Sequence, residues 1–337
     1  MDKEQLHRLQ LLGFYGILRE SSTIAFSNCK ILSQITILTI FPLCLLFLVH
    51  LQASNFIFAN IIHNENAFHH AQDLSTEHAT ISGALPSEII VFWLIKAAYL
   101  VFFLALSLLS TCAVVCTVAC GYTRKEITFA GITTVVVPHV WKRLVVTFAW
   151  SFITVLSYNV VAFLVLLPSS LVSSTSPSPA RAVFLGVVYV AGFVYVSIIW
   201  HLATVVSVLE QECGIGAMVR SKELVRGKMV ISGGVFLFLH SCFVLVQVGL
   251  ERVVVVGVGG WVWGRIGCGI VGLLLLCGLT LLGLVVQTVV YFVCRSCHGE
   301  DDVVGKTWCG DDEVEVYLGD YAVLRSDEDV RFQQIYV

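Results

Sequence analysis

The chain has 337 residues, of which 57% are hydrophobic and only 13% are charged, and its mean hydropathy is +0.88. Because a soluble domain carries about 25% charged residues, this composition argues against a soluble globular protein and indicates a membrane protein. The net charge is −3, and the sequence contains no basic domain of the kind that binds nucleic acid. The twelve cysteines lie mostly inside apolar runs, which argues against a disulfide-stabilised secreted module.

Residues 1–30 precede the first long apolar run and form the first predicted domain, a cytoplasmic amphipathic segment. Leu9, Gly13 and Ile17 recur every four residues among charged side chains, which suits a helix lying in a membrane interface. The apolar run that begins at Ile31 exceeds the roughly 7–15 residues of a signal-peptide core. It therefore predicts an uncleaved membrane span.

Six apolar stretches are long enough to cross a bilayer as helices, because a hydrocarbon core of about 30 Å needs roughly 20 helical residues. Isolated strands would leave unpaired backbone groups in lipid. The stretches therefore predict an all-α, polytopic helical membrane protein, and they form the second predicted domain, residues 31–294. The predicted spans are residues 31–51, 89–120, 144–167, 183–209, 230–250 and 266–294.

The segments between the spans alternate in their content of Lys and Arg, and this alternation predicts the orientation of the chain. The amino-terminal segment, the second loop, the fourth loop and the segment after the last span carry four each. The first, third and fifth loops carry none, one and two. Sixteen basic residues against three predict that both termini are cytoplasmic. The expected location of the protein is an endomembrane or the plasma membrane.

The second and fourth loops each predict an amphipathic helix at the inner face of the membrane. Pro138 opens the first, with Trp141 at headgroup depth and basic residues beside anionic lipid. The second follows the fourth span and places Ile215, Met218 and Leu224 among four basic residues. The expected partner of both helices is a bilayer with an anionic inner leaflet.

Three ionisable side chains inside the predicted spans are candidate functional groups, namely Lys96, His201 and His240. Lys96 follows Glu88 by about two turns, so the alternative is that its ammonium reaches the nearby interface. The histidines lack paired carboxylates, and hydrogen bonds between helices are their simpler role. Asn159 is a further polar residue that a solute path would use.

Histidines cluster in the first outer loop, and cysteines form a stripe in the second span. The histidines lie near Asp73 and Glu77, which suits zinc or copper, but their spacing matches no defined site and no metal is predicted. Cys112, Cys116 and Cys120 share one helix face, where small side chains favour close packing. The loop histidines are His63, His69, His70 and His78.

Cys294, Cys297 and His298 form a Cys-x-x-Cys-His motif at the cytoplasmic end of the last span. This spacing marks c-type haem attachment in other settings, but that chemistry belongs to the opposite side of an energy-transducing membrane. A zinc site that adds Cys309 has a suitable ligand set but lacks the usual second pair. We predict reduced cysteines at a membrane boundary, with Cys294 and Cys297 as S-palmitoylation sites and no cofactor.

Residues 295–337 form the third predicted domain, an acidic cytoplasmic tail that holds eleven of the 23 acidic residues of the chain. A segment of this composition is expected to be solvated, and it suits contacts with cytosolic proteins. Tyr321 and Leu324 form a tyrosine-x-x-hydrophobic string of the kind that cytosolic sorting adaptors read.

Three stretches of the chain resemble an uncharacterised family of plant six-span transmembrane proteins: LQLLGFYGILRESSTIAFSNCKILSQIT, PHVWKRLVVTF and VVSVLEQECGIGAMVRSKELVRGK. The resemblance covers essentially the first 300 residues and implies the same six-span fold, without catalytic residues to transfer. Some members of that family are labelled as binding partners of a polyadenylate-binding protein, which no residue of this chain supports independently.

A looser resemblance links the fourth loop to membrane domains of bacterial proteins, some of them attached to glycerophosphodiester phosphodiesterases. This chain contains no soluble phosphodiesterase domain, so the resemblance does not imply that activity. The residues that carry it are Glu210, Gly214, Ala217, Ser221, Leu224 and Gly227.

The predicted function is that of a non-enzymatic integral membrane protein with a structural, trafficking or partner-binding role. No metalloprotease motif, nucleophile elbow or pair of intramembrane carboxylates indicates an enzyme. The alternative is a small-solute transporter, which needs a polar path at the midplane. A hydrated cavity lined by Lys96, His201, His240 and Asn159 would favour the transporter, whereas a filled interior would favour the first function.

Overall fold

The described residues of the protein are almost entirely helical in the computed structural model and include no strand, which confirms the all-α prediction. The described residues are 3–54, 75–123, 131, 136–171, 179–210, 212–255 and 262–297. The helices are α1 (Lys3–Gln10), α2 (Phe14–Ser27), α3 (Cys29–Ile35), α4 (41–54), α5 (Ser75–Thr123), α6 (Val137–Leu171), α7 (Pro179–Leu209), α8 (Ile215–Val225), α9 (Met229–Leu250) and α10 (Val262–Cys297).

Six of the described helical stretches are long and apolar enough to cross a membrane, so the predicted number of spans is confirmed. The first of them runs through α3, a π-helical turn at Thr36–Ile40 and α4. Lipid offers backbone groups no alternative partner, which explains why valine-rich stretches of modest helix propensity are helical here. The candidate spans are Cys29–Ser54, Phe92–Tyr122, Val140–Val165, Val183–Leu209, Met229–Val253 and Ile266–Cys297.

Two helices begin where proline permits a start. Pro138 lies in the first turn of α6, and Pro179 is the first residue of α7. The first turn of a helix tolerates proline because its N–H groups have no intrahelical partner. The loop that precedes α6 thus leads directly into a candidate span, with Trp141 and Lys142 on the same continuous helix.

The amino-terminal segment is two helices rather than one, and its apolar face packs against the protein. Leu9 and Ile17 are buried, at 3% and 1% exposure. The Gln10 side chain donates to the carbonyl of Ser296 (2.6 Å), and the ring of Phe14 meets that of Phe238 edge-on at 5.9 Å. The opposite face of α2 stays open, since Tyr15 and Phe26 are mostly exposed.

The helices fall into two compact units, and the first of them contains the ends of several helices. Its core is formed by stretches 111–120 of α5, 202–209 of α7 and 285–296 of α10, in which every residue is buried. Cys112, Cys116 and Cys120 lie in this core, but so do all residues between them. The cysteine stripe therefore does not mark one packed face of α5, because the helix is enclosed on all sides there.

The second unit comprises the described residues of 36–110 and 243–280. Small residues allow close approach within it, as the side chain of Leu250 lies directly over Gly272. The thiol of Cys44 lies 3.8 Å from the hydroxyl of Thr280, and the rings of Phe47 and Phe243 are 6.0 Å apart. These contacts join α4, α9 and α10 in the manner expected of membrane helices.

Large apolar side chains remain exposed on the third and fourth candidate spans, as expected of surface that faces lipid. Phe152 and Phe163 of α6 are 50% and 62% exposed, and Phe184 of α7 is 66% exposed. Polar side chains in this helix pair satisfy one another. The hydroxyl of Tyr158 donates to the carbonyl of Tyr189 (2.7 Å), and the hydroxyl of Tyr189 donates to the amide oxygen of Asn159 (2.9 Å).

The turn between α7 and α8 requires glycine at position 214. Gly214 has φ +61° and ψ −126°, and a Cβ there would lie 3.1 Å from Cδ1 of Trp150 and 3.3 Å from a methyl of Val146. We expect Gly214→Ala to lower the free energy of unfolding by about 2 kcal/mol or more, because backbone strain and crowding add together. An SDS unfolding titration of the detergent-solubilised protein measures this change.

Two control variants separate the contributions to that loss. Gly227 has φ +113° with open space around it, so Gly227→Ala reports strain without crowding. Gly278 lies inside α10 with nothing near its virtual Cβ, so Gly278→Ala is expected to be neutral or stabilising by up to about 1 kcal/mol. Equal losses at positions 214 and 278 would contradict the argument.

Candidate functional site at a buried glutamate

Glu210 follows the last residue of α7 and lies at the centre of a polar cluster in the first unit. Its side chain is only 10% exposed. The hydroxyl of Tyr291 donates to its Oε1 (2.6 Å), and Nη1 of Arg295 lies 3.4 Å from the same oxygen. Nε of Arg220 lies 3.5 Å from the other oxygen, Oε2. One carboxylate therefore connects α7, α8 and α10.

Tyr291 and Arg295 lie one helical turn apart on α10 and reinforce each other. Nη1 of Arg295 donates to the Tyr291 hydroxyl at 2.6 Å, and the guanidinium carbon lies 5.8 Å from the centre of that ring. Only 7% of the Arg295 side chain is exposed. Hydrogen bonds between ionised groups strengthen when water is excluded, but each buried charge then depends on its partner.

One donor of this guanidinium is unsatisfied among the described residues, because Nε of Arg295 is buried without a hydrogen-bond partner. An unmet buried donor costs about 1–3 kcal/mol and more when the group is charged. The hydroxyl of Tyr122, whose ring packs against Phe292 of α10 at 4.8 Å, is a second buried group without a partner in the described residues.

The turn that carries Glu210 is held by α6. The hydroxyl oxygen of Thr147 accepts hydrogen bonds from the Ser207 hydroxyl and from the backbone N–H of Gly214, both at 2.7 Å. Nη1 of Arg143 lies 3.5 Å from the backbone carbonyl of Glu210. These contacts fix the turn against α6 on both sides of Glu210.

Helix α8 packs along the spans instead of standing apart from them. The hydroxyl of Ser221 donates to the carbonyl of Ile199 (3.2 Å), and Leu224 and Val225 are buried in the protein. The apolar residues that remain exposed are Ile215 and Val219. The amphipathic helix predicted in the fourth loop therefore exists, but Leu224 faces the protein rather than lipid because α6 and α7 cover that side.

The predicted intramembrane histidines come together with a glutamine that the sequence pattern did not single out. Nδ1 of His201 lies 3.1 Å from Oε1 of Gln287, and its ring stacks on Phe236 at 5.0 Å. The ring of His240 meets His201 edge-on at 5.9 Å, and the His240 side chain is exposed. Nε2 of Gln287 is buried and has no partner among the described residues.

Lys96 belongs to the second unit, and its described partners are a hydroxyl, an imidazole and an aromatic ring. Its ammonium donates to the hydroxyl of Ser54 (2.8 Å) and lies 3.0 Å from Nε2 of His50. The ring of His50 stacks on Tyr99 at 3.6 Å. The side chain of Glu88, the predicted interfacial partner of Lys96, lies outside the described residues.

The two cysteines predicted as acylation sites differ in accessibility. Cys294 is fully buried, with its sulfur 4.0 Å from the hydroxyl of Ser232, whereas Cys297, the last residue of α10, is exposed.

In the described part of the chain no three His, Cys, Asp or Glu side chains are placed to hold a metal ion. Several predicted residues lie outside that part: His63, His69, His70, His298, Cys309, Tyr321, Leu324 and the rest of the acidic tail.

The sequence pattern did not single out Tyr291 and Arg295, two of the three side chains that contact the carboxylate of Glu210. Tyr291 and Arg295 are spaced by four residues near the end of an apolar helix, which was the available signal of a shared polar face. Glu210 itself was indicated only by the resemblance of the fourth loop to membrane domains of bacterial proteins. Nothing in the sequence predicted that these residues meet.

Comparison with known proteins gives a family without an assigned role. A family model described as "Domain of unknown function (DUF8558)" matches residues 1–335. No curated protein and no solved structure matches the chain.

The Glu210 cluster makes a specific prediction about stability. Glu210→Gln leaves the guanidinium of Arg295 buried without its counter-charge, so we expect the free energy of unfolding to fall by about 3–5 kcal/mol. Tyr291→Phe, which removes one hydrogen bond to a charged acceptor, should cost about 1.5–3 kcal/mol. The SDS unfolding titration measures both.

Glu223 provides the matched control for charge. Its side chain is 62% exposed and lies 3.8 Å from Nη1 of Arg220, one turn away on the same helix. Glu223→Gln removes the same charge from a solvated pair and should cost about 0–1 kcal/mol. A loss at Glu210 no larger than the loss at Glu223 would show that the buried cluster is not structural.

Proposed function

The chain belongs to the DUF8558 family, and from the arrangement of its residues we propose that it is a non-enzymatic multi-pass membrane protein that presents a rigid platform on the cytosolic face. The platform comprises α1, α2, the turn 210–214, α8 and the end of α10. Its role is structural, or it binds and sorts partner proteins. The observation that carries this proposal is the carboxylate of Glu210, which joins its own turn to α8 and to the end of α10 while only 10% exposed.

Hydrogen bonds between distant segments hold the platform helices together, which supports a scaffolding role. The ammonium of Lys228 donates to the carbonyl of Gln10 (2.9 Å), which links the start of α9 to α1. Gln10 in turn donates to Ser296 of α10. Each contact joins segments that are far apart in the sequence, so the platform depends on the folded chain and not on any one helix.

The outer faces of two platform helices suit the inner leaflet of a membrane. On α2 the exposed residues include Tyr15, Arg19 and Phe26, and on α8 they include Val219 and Lys222. Aromatic and apolar side chains next to basic ones are typical of helices that contact an anionic lipid surface. Together with the excess of Lys and Arg in the inner segments, this supports cytosolic termini in an endomembrane or the plasma membrane.

The acidic tail supplies the proposed contact with cytosolic partners. Its sequence after Cys297 is rich in carboxylates and includes the tyrosine-based string at Tyr321 and Leu324. The rigid platform would hold the start of this tail at a fixed place on the inner face. The resemblance to plant proteins suggests that the host membrane belongs to a plant cell.

A second candidate function, transport of a small solute, is favoured by the cluster of His201, His240 and Gln287. Three polar side chains from three candidate spans meet there. If they line a proton-coupled path, Gln287→Leu abolishes proton uptake by protein reconstituted in vesicles that contain a pH-sensitive dye. Uptake equal to that of empty vesicles for the native protein would exclude this function.

Native cysteines provide a test of the proposed orientation. Cys29, Cys213 and Cys297 are exposed at ends assigned to the cytosol, and Cys268 is exposed near the opposite end of the last span. Variants that each retain one of these cysteines should react with a membrane-impermeant maleimide on intact cells only at Cys268 if the protein is at the plasma membrane. In sealed endomembrane vesicles with the cytosolic side outward, the pattern should be the reverse.

A variant that retains only the buried Cys116 is the control, because it should stay unlabelled in both preparations until the protein is denatured. Labelling of Cys29 and Cys297 on opposite sides would contradict an even number of crossings, and labelling of Cys297 on the same side as Cys268 would show that the last span does not cross the membrane. Labelling of Cys29 and Cys297 from outside the cell would reverse the orientation.

The structure distinguishes the two predicted acylation sites. Acyl transfer requires an accessible thiol, so we expect S-acylation at Cys297 and none at Cys294. Acyl-exchange labelling of the protein from plant cells should therefore disappear in Cys297→Ser and persist in Cys294→Ser. Persistence of the label in Cys297→Ser would contradict this assignment.

A further inference from the structure

We propose that the guanidinium cluster around Glu210 is a binding site for a phosphate-type oxyanion, presented by a phospholipid headgroup or by a free phosphate. The cluster consists of Arg143, Arg220 and Arg295 together with Glu210. The proposal deepens the proposed function by naming a ligand of the platform, and it rests on that function only for the side of the membrane on which the ligand is found.

The first argument is the unmet donor of Arg295. Its side chain is 93% buried by area, Nη1 is engaged by Glu210 and Tyr291, and Nε has no partner among the described residues. A guanidinium presents its N–H groups as a planar fork that matches two oxygens of a phosphate. An oxyanion beside this edge would supply the acceptor that the described protein groups do not.

The second argument is the balance of charge. Three guanidinium groups lie within 3.5 Å of atoms of Glu210, which contributes one carboxylate to the cluster. The side chain of Glu223 is 62% exposed and also reaches Arg220, at 3.8 Å. Buried charges in proteins are normally paired. Glu210 is therefore flanked by guanidinium groups from α6, α8 and α10, and such a concentration of positive groups attracts an oxyanion.

The third argument is the route of access. Arg220 is 29% exposed and joins the buried carboxylate to the outer surface of α8. Val219 and Lys222 lie exposed beside it. A headgroup phosphate that reaches Arg220 from the membrane surface can exchange with Glu210 as its partner, and this exchange would loosen the contact of α8 with α10.

The experiment uses the purified full-length protein in a neutral detergent. Lipid adducts are measured by native mass spectrometry for phosphatidic acid and phosphatidylcholine with the same acyl chains. In parallel, thermal unfolding is compared in sodium phosphate and in sodium chloride at equal ionic strength. For the native protein we expect phosphatidic acid to bind about tenfold more tightly than phosphatidylcholine, or phosphate to raise the unfolding temperature, since each paired guanidinium discriminates strongly.

The variants separate a built site from general attraction. Arg220→Gln and Arg295→Lys should each weaken phosphatidic acid binding about fivefold or more. Arg220→Gln removes a guanidinium and its charge, whereas Arg295→Lys retains the charge but lacks the Nε donor. Lys222→Gln, which removes one positive charge from the exposed face of the same helix, should leave binding within about twofold of native. Equal losses in Lys222→Gln and Arg295→Lys would overturn the proposal.

The two arms distinguish the source of the phosphate. Binding of the lipid without an effect of inorganic phosphate assigns the site to a headgroup, and the reverse result assigns it to a free phosphate. Absence of both effects in the native protein overturns the proposal even if Arg295→Lys does not fold. Maleimide labelling that places both termini in the cytosol, combined with the absence of both the lipid effect and the phosphate effect, would leave the proposed orientation standing and reject only the ligand.

Discussion

The burial of one carboxylate against a guanidinium and a phenol is the interaction on which the first unit depends. Glu210 lies at the point where a span ends and the chain turns back, and Tyr291 and Arg295 lie 81 and 85 residues later. Removing one member of such a set leaves a charge that neither water nor lipid can solvate. The polar contact thereby specifies how the end of α7 is placed against α10.

The turn and the short helix α8 follow from that placement. Gly214 adopts a backbone conformation that other residues resist, and its N–H reaches the hydroxyl of Thr147. This directs α8 back along α6 and α7, where Ser221 bonds to the carbonyl of Ile199. A loop that would otherwise be free at the membrane surface thus becomes part of the packed protein, and its basic residues acquire defined positions.

The bilayer explains the remainder of the architecture. Large apolar side chains such as Phe163 and Phe184 are exposed in the isolated chain but face lipid in a membrane, so they need no protein partner. Polar groups in the spans instead find partners on neighbouring helices, as Tyr158 does with Tyr189 and His201 with Gln287. Polar contacts and close packing, rather than the hydrophobic effect, then determine which helices associate.

Several predicted features of the candidate site took a different form in the structure, for identifiable reasons. The sequence indicated an amphipathic segment at residues 1–30, and the structure contains helices there, but Leu9 and Ile17 are covered by protein. Cys294 and Cys297 looked equivalent in the motif, yet only Cys297 is exposed, because α10 is enclosed up to its last turn. Periodicity locates a polar or apolar face, but it does not identify what covers that face.

The sequence by itself determined the all-α class and the six apolar helices, because a bilayer imposes length, hydropathy and internal hydrogen bonding on each segment separately. The sequence also contains the asymmetry in Lys and Arg content between alternate segments that separate the spans. Only the tertiary structure decided that Glu210 meets Arg220, Tyr291 and Arg295, and that Gln287 joins the histidines. Those encounters depend on the rotation and crossing of helices that are distant in sequence, and packing between side chains sets both.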